Sequence, residues 1–169
     1  SSTEIELVSA TMREFKLRLA LEEVRPYFHF IIIDTSPHIG LLTINALVAS
    51  THIVIPVSPK KWALSGVNIL VRNLNILRKK FAPFGITMPI LGVLINQTRE
   101  TNNSKHRSEQ IKKTFGDLVF SVSVPLNEKI EEASDEETPA YDYAPNSKGV
   151  IAYRQIAEEM LTRVNTKES

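Results

Sequence analysis

Apolar residues recur along this chain with two periods, and the period switches at regular intervals. Between 4 and 24, Ile5, Val8, Met12, Phe15, Leu19 and, less regularly, Val24 stand three to five residues apart. That spacing predicts an amphipathic helix with Glu and Arg on its outer face. Phe30-Ile31-Ile32-Ile33 follows as an unbroken apolar run, mostly β-branched, and predicts a strand over 29–34 buried on both faces. Residues 40–50 read as a helix with Gly40 near its start. His52 to Val57 is a second apolar run, and Pro56 and Pro59 favour an edge position or an exit from the sheet. Leu64, Val67, Leu70, Val71, Leu74 and Leu77 predict a helix over 62–81. Trp62 reads as a packing residue at its start, and Arg78-Lys79-Lys80 complement the dipole at its end.

Ile90 to Ile95 predicts a third strand, ending at Asn96. A short polar helix over 104–115 precedes a fourth strand, Leu118 to Val124, which stops at Pro125. A dense acidic stretch lies within 127–137 and reads as a solvated helix face. A loop rich in Tyr and Pro comes next, and Ser147 is placed to cap a last helix over 148–164. Strands separated by helices require right-handed crossovers. The expected fold class is therefore α/β: a doubly wound, mostly parallel sheet with helices on both faces. The chain reads as one domain over 1–169.

Composition narrows the chemistry. Hydrophobic residues make up 43% of the 169 and charged residues 23%, enough for one real core. The net charge of +1 supplies no whole-molecule attraction to nucleic acid, so any such contact needs a local basic patch. Without cysteine there are no disulfides, Cys-ligated zinc or iron–sulfur clusters, which fits a cytoplasmic protein. No apolar run reaches the roughly 18 residues that span a bilayer. His29, His38, His52 and His106 do not share a metal-ligand spacing.

The first apolar run ends on a carboxylate, Asp34. Ligands bind at the carboxyl ends of strands in open α/β sheets. An acid there commonly holds Mg²⁺ against nucleotide phosphates; it could equally cap the next turn. The six glycines include no Gly-x-x-x-x-Gly-Lys-[Ser/Thr] and no Gly-x-Gly-x-x-Gly. Either the protein does not bind nucleotide or its phosphate loop lies upstream of Ser1.

Five collinear segments decide between these. FIIIDTSPHIGLLTINAL (30–47), VIPVSPKKWALSGV (54–67), GVLIN (92–96), VPLNEKIEEAS (124–134) and PAYDYAPNSKGVIAY (139–153) resemble the ParA/Soj family of partition ATPases, within the MinD/ParA group of P-loop proteins. The resemblance extends to the helical stretch 4–21. It implies that Asp34 is the Walker B acid, holding Mg²⁺ through a water. Thr35, Ser36, Pro37 and Gly40 would belong to switch II, and Asn96, Pro125 and Asn127 would surround the adenine of ATP. It further implies an ATP-driven homodimer that binds DNA without sequence preference, and a ParB-like centromere-binding protein that stimulates hydrolysis. The location would be the cytoplasm, on the nucleoid, without membrane attachment.

The family's Walker A loop is not in this sequence. The chain is expected to be the C-terminal portion of a longer protein, inactive alone, with apolar surface exposed along its helix and sheet. Ser36-Pro37 stands for the family's Pro-Pro, and Lys60 for its usual Glu. Of two DNA-contacting arginines in the family, one falls near Thr101, where Arg99 is the nearest cation, and the other at Lys129. The candidate DNA contacts are Lys129, Arg99, Lys105, Arg107 and Lys148. Two rivals are a MinD-like membrane-associated positioning ATPase and a non-catalytic adaptor of the same fold.

Overall fold

A computed structural model describes residues 12–36 and 38–167. The predicted helical residues 4–11, and Pro37 of the expected switch segment, lie outside them. The helices are α1 (Lys16–Glu22), α2 (Leu41–Ala49), α3 (Ala63–Phe81), α4 (Asn102–Phe115), α5 (Glu128–Asp135), α6 (Ala140–Tyr143) and α7 (Lys148–Lys167); the strands are β1 (Ile53–Val57) and β2 (Ile90–Ile95). Two compact units divide the chain: Ser1–Ile53 with Asn73–Pro89, and Val54–Arg72 with Ile90–Ser169.

In the first unit, Val48 of α2 and Leu77 and Phe81 of α3 close a core with Ile86 and Met88. Phe81 and Met88 are each 1% exposed, and such burial stabilises by about 1.5–3 kcal/mol per side chain. The basic end of α3 does more than meet the dipole. Arg78 donates from Nε and Nη2 to the Met88 carbonyl at 3.1 and 2.6 Å. The chain turns back toward β2 through Gly85, at φ 71°, a conformation that glycine adopts without strain.

The expected strand over 29–34 forms no ladder among the described residues. Phe28, Phe30 and Ile32 are 61%, 59% and 91% exposed. A strand needs hydrogen-bonded neighbours and covered faces. Without either, a strand-like pattern produces no regular element, and the apolar surface expected from the sequence is exposed here.

The second unit carries the sheet. β1 and β2 pair in parallel, with the Asn96 N–H donating to the Val57 carbonyl at 2.9 Å. Pro56 is tolerated because β1 pairs with β2 alone among the described residues. Single parallel bridges, Val93–Val119 and Thr98–Pro125, line the other edge of β2. The expected strand 118–124 is thus interrupted. Phe120 and Val124 donate to the Val93 and Ile95 carbonyls, so four residues are spent against two and the segment bulges. Glu159 of α7 holds the bulge, accepting from the Ser121 N–H at 2.9 Å and its hydroxyl at 2.6 Å. Leu94, Phe120, Val124, Ala152 and Ile156 form this unit's core. Ser147 caps α7 as expected, its Oγ accepting from the Val150 N–H at 3.4 Å.

Candidate functional site

Asp34 lies in the first unit, at the end of the apolar run 30–33. Its side chain is exposed, and no hydrogen bond or ion pair engages the carboxylate among the described residues. Thr35 and Ser36 are exposed beside it. The turn that follows is fixed. The His38 carbonyl accepts from the Gly40 N–H at 3.0 Å and from Thr43 Oγ1 at 2.6 Å, and the Gly40 carbonyl takes the Ile44 N–H to open α2. Asn45, 3% exposed, braces the back of this helix. Its Oδ1 accepts from the Leu17 N–H at 3.1 Å, and its Nδ2 donates to the Arg13 and Leu41 carbonyls at 2.8 and 3.0 Å. The sequence reading missed Asn45. Its signal was a single amide in the apolar run Leu41–Ala49, because a buried amide persists only when its bonds are made.

The second unit brings Asn96, Pro125 and Asn127 to the carboxyl end of β2. Asn96 follows the strand directly. Gln97 next to it has φ 56°, left-handed for a residue with a side chain. Its N–H donates to Asn96 Oδ1 at 2.9 Å, and Ser58, just past β1, donates to its Oε1 at 3.0 Å. Thr98 then pairs with the 124–126 segment: its N–H donates to the Val124 carbonyl at 3.0 Å and its carbonyl accepts from Leu126 at 2.9 Å. That places Pro125 beside the end of β2. Asn127 caps α5, accepting from the Lys129 N–H at 3.0 Å. Tyr153 of α7 reaches Asn96 Oδ1 with its hydroxyl at 3.3 Å.

The candidate DNA cations are all in the second unit, and they differ in how free they are. Lys129 Nζ holds Glu132 at 2.6 Å. The Lys129 contact, then the Tyr143 hydroxyl, keeps the Glu132 carboxyl below the ordinary range. Lys105 pairs with Glu100 at 2.8 Å, and Lys148 adds a weaker pull on the same carboxyl. No ion pair engages Arg99, Arg107 or Lys148 among the described residues. Arg107 lines a cavity of about 50 Å³ with Lys60, Lys61, Leu64 and Gln110. None of the residues expected around the nucleotide lines it. Trp62 is 70% exposed and does not pack at the start of α3 as expected; the Lys61 ammonium lies 5.2 Å from its ring centre. No group of three His, Cys, Asp or Glu is placed to hold a metal by itself among the described residues. No helix there is long and apolar enough to cross a membrane.

Parallel strands, crossover helices and polar groups gathered at the strand ends define an α/β chain of the P-loop NTPase type. The family model described as an AAA domain matches residues 1–84. The sporulation initiation inhibitor protein Soj of Bacillus subtilis is 37% identical over 161 residues, 95% of this chain and 62% of that protein. The chromosome partitioning protein ParA of Myxococcus xanthus is 32% identical over 168 residues, 99% of this chain and 58% of that protein. Cobyrinic acid a,c-diamide synthase from Mycobacterium smegmatis, solved with an ATP analogue and magnesium, is similar with a TM-score of 0.75. It is 25% identical, over 97% of this chain and 59% of that one. This chain is similar to the Soj and ParA partition proteins over nearly its whole length. It spans about three fifths of the length of these curated relatives.

Proposed function

We propose that this chain is part of a magnesium-dependent ATPase that partitions DNA. The observation that carries the reading is the gathering of Asn96, Pro125 and Asn127 at the carboxyl end of β2, where open α/β sheets take their ligands. In this reading they surround the adenine. The residues fit the group: Asn96 Nδ2 has no partner among the described residues and can donate to a base. In the first unit, Asp34 offers an unengaged hard oxygen donor. That suits Mg²⁺, which keeps several waters and binds through one or two carboxylates plus phosphate oxygens. Mg²⁺ would supply charge neutralisation at the phosphates. Asp34 would hold it through a water, and Thr35, Ser36 and Gly40 would follow the presence of the γ-phosphate, as switch segments do. Residues 1–169 form part of a single ATPase domain in this reading, and the chain alone is not catalytic, because no phosphate-binding lysine loop is in its sequence.

ATP would assemble a homodimer. Arg99, Lys105, Arg107, Lys129 and Lys148 would meet DNA phosphates without reading bases, a binding mode that falls steeply with salt. A ParB-like centromere-binding protein would stimulate hydrolysis and release. All of this would take place in the cytoplasm, on the nucleoid, without membrane attachment. The test is ATP turnover with Mg²⁺ by the whole native protein, with and without DNA and the centromere-binding partner. Asp34→Ala is expected to abolish stimulated turnover while leaving the thermal midpoint nearly unchanged, since the side chain is exposed and unpaired. Full turnover in that variant would overturn the assignment.

A further inference from the structure

The amide of Asn96 is not free to choose its orientation. The Gln97 N–H can only donate, so the atom facing it at 2.9 Å must be the oxygen, Oδ1. Gln97 is itself held in its left-handed conformation, with its side-chain oxygen bonded to Ser58. The Tyr153 hydroxyl, from the second turn of α7, meets the same Oδ1 at 3.3 Å. An amide oxygen has two lone pairs, and both are taken. We propose that Tyr153 is a positioning residue for Asn96: with Gln97 it occupies both acceptor sites of Oδ1, so that Asn96 offers a bound nucleobase only the Nδ2 donor.

This rests on the nucleotide reading above and sharpens it. A donor-only amide reads a ring nitrogen or carbonyl acceptor on the base edge. It does not read the exocyclic amino group of adenine, which needs an acceptor. Any selection of adenine through that amino group then falls to backbone carbonyls or other side chains, not to Asn96.

The experiment measures equilibrium binding by the whole native protein of ATP, purine riboside triphosphate (which lacks the amino group) and ribose 5′-triphosphate (which lacks the base). Tyr153→Phe keeps the ring and removes one hydrogen bond. It is expected to weaken ATP and purine riboside triphosphate alike, by about threefold to tenfold, the range for one such bond. Ribose 5′-triphosphate binding should not change, and Tyr153→Phe should add nothing in an Asn96→Ala background. A merely structural role would weaken all three ligands and add to Asn96→Ala, and either result would overturn the proposal. Asn96→Asp keeps an oxygen for Gln97 and Tyr153 but removes the donor, so it should lose affinity for both base-bearing ligands equally; a loss confined to ATP would overturn donor-only recognition. If Asn96→Ala binds ATP like wild type, the nucleotide reading itself fails. If Asn96→Ala weakens ATP and Tyr153→Phe does not, only the positioning role fails.

Discussion

Gly149 lies so close to Asn127 that a β-carbon on the glycine would stand 3.0 Å from the asparagine's own Cβ. The same atom would meet Ile130 Cδ1 at 2.6 Å, but that is the end of a flexible side chain and can swing away. Asn127 cannot yield so cheaply, because its side chain caps α5. Gly149→Ala should therefore move Asn127 more than it harms the fold. Alanine gains about 1 kcal/mol of helix propensity at a helical position, against about 1–3 kcal/mol of overpacking. The expected net loss of stability is small, about 1 kcal/mol, with a larger fall in nucleotide affinity. Urea unfolding beside ATP binding by the whole protein checks it, and unchanged affinity would show that the close approach does not matter to the site.

Asn45 joins the 13–17 segment to α2 through bonds made at both ends of one buried amide. Asn45→Ala leaves the Leu17 N–H and the Arg13 and Leu41 carbonyls without it. Stranded buried polar groups cost about 1–3 kcal/mol each, and water reaches part of this site, so about 2–3 kcal/mol of destabilisation is expected in total. Limited proteolysis should then cut near α1 earlier than in wild type. Wild-type stability and cleavage in the variant would remove Asn45 from its bracing role.

Glu159 makes acid stability legible. Burial pushes its carboxyl upward, but the Ser121 hydroxyl and N–H and the Arg163 guanidinium outweigh burial and hold it below the ordinary range. Arg163 meets it at 2.6 Å and also donates to the Leu91, Leu118 and Val119 carbonyls. A carboxylate whose pKa is lower in the folded state than in the unfolded chain stabilises above its unfolded value and loses that contribution as pH falls through the folded one. Glu159→Gln should be less stable than wild type at neutral pH, and the gap should close below about pH 4, where the ordinary carboxylate titrates. A gap independent of pH, followed by thermal melts from pH 7 to 3, would contradict this.

Glu132 holds Lys129 at 2.6 Å and neutralises the charge that a DNA phosphate would meet. Glu132→Gln keeps an acceptor for the Tyr143 hydroxyl and releases the lysine. DNA binding by the whole ATP-bound protein should strengthen in that variant. Lys129→Ala should instead weaken binding and reduce the slope of log affinity against log salt by about 0.9, the value for one lost phosphate contact. An unaltered slope would take Lys129 off the DNA face.

Much of the architecture was written in local patterns. The helices over 41–49, 63–81, 102–115 and 148–167 and the strands over 53–57 and 90–95 lie within a few residues of where periodicity puts them. The same reading places Asp34, Asn96 and Pro125 at segment ends, because a charged or turn-forming residue after an apolar run marks where chain leaves a core; Asn127 came from the family resemblance alone. Periodicity of 3.6 or 2 is a property of neighbouring residues, and neighbouring residues suffice to show it.

What periodicity could not decide was partnership. Ile31, Ile32 and Ile33 have a strand's composition and no strand's ladder, since a ladder needs a second segment in register. Val119 to Val124 is bulged because Ser121 is drawn to Glu159, 38 residues away. Asn96 faces Gln97 and Tyr153 with its oxygen, and Lys129 is held by Glu132 and not free, for the same reason. The sequence by itself determined which segments are helical or extended and which residues end them. Only the tertiary structure decided which polar groups are already bonded and which remain open, because hydrogen bonds and ion pairs are made across space between residues whose separation along the chain carries no signal.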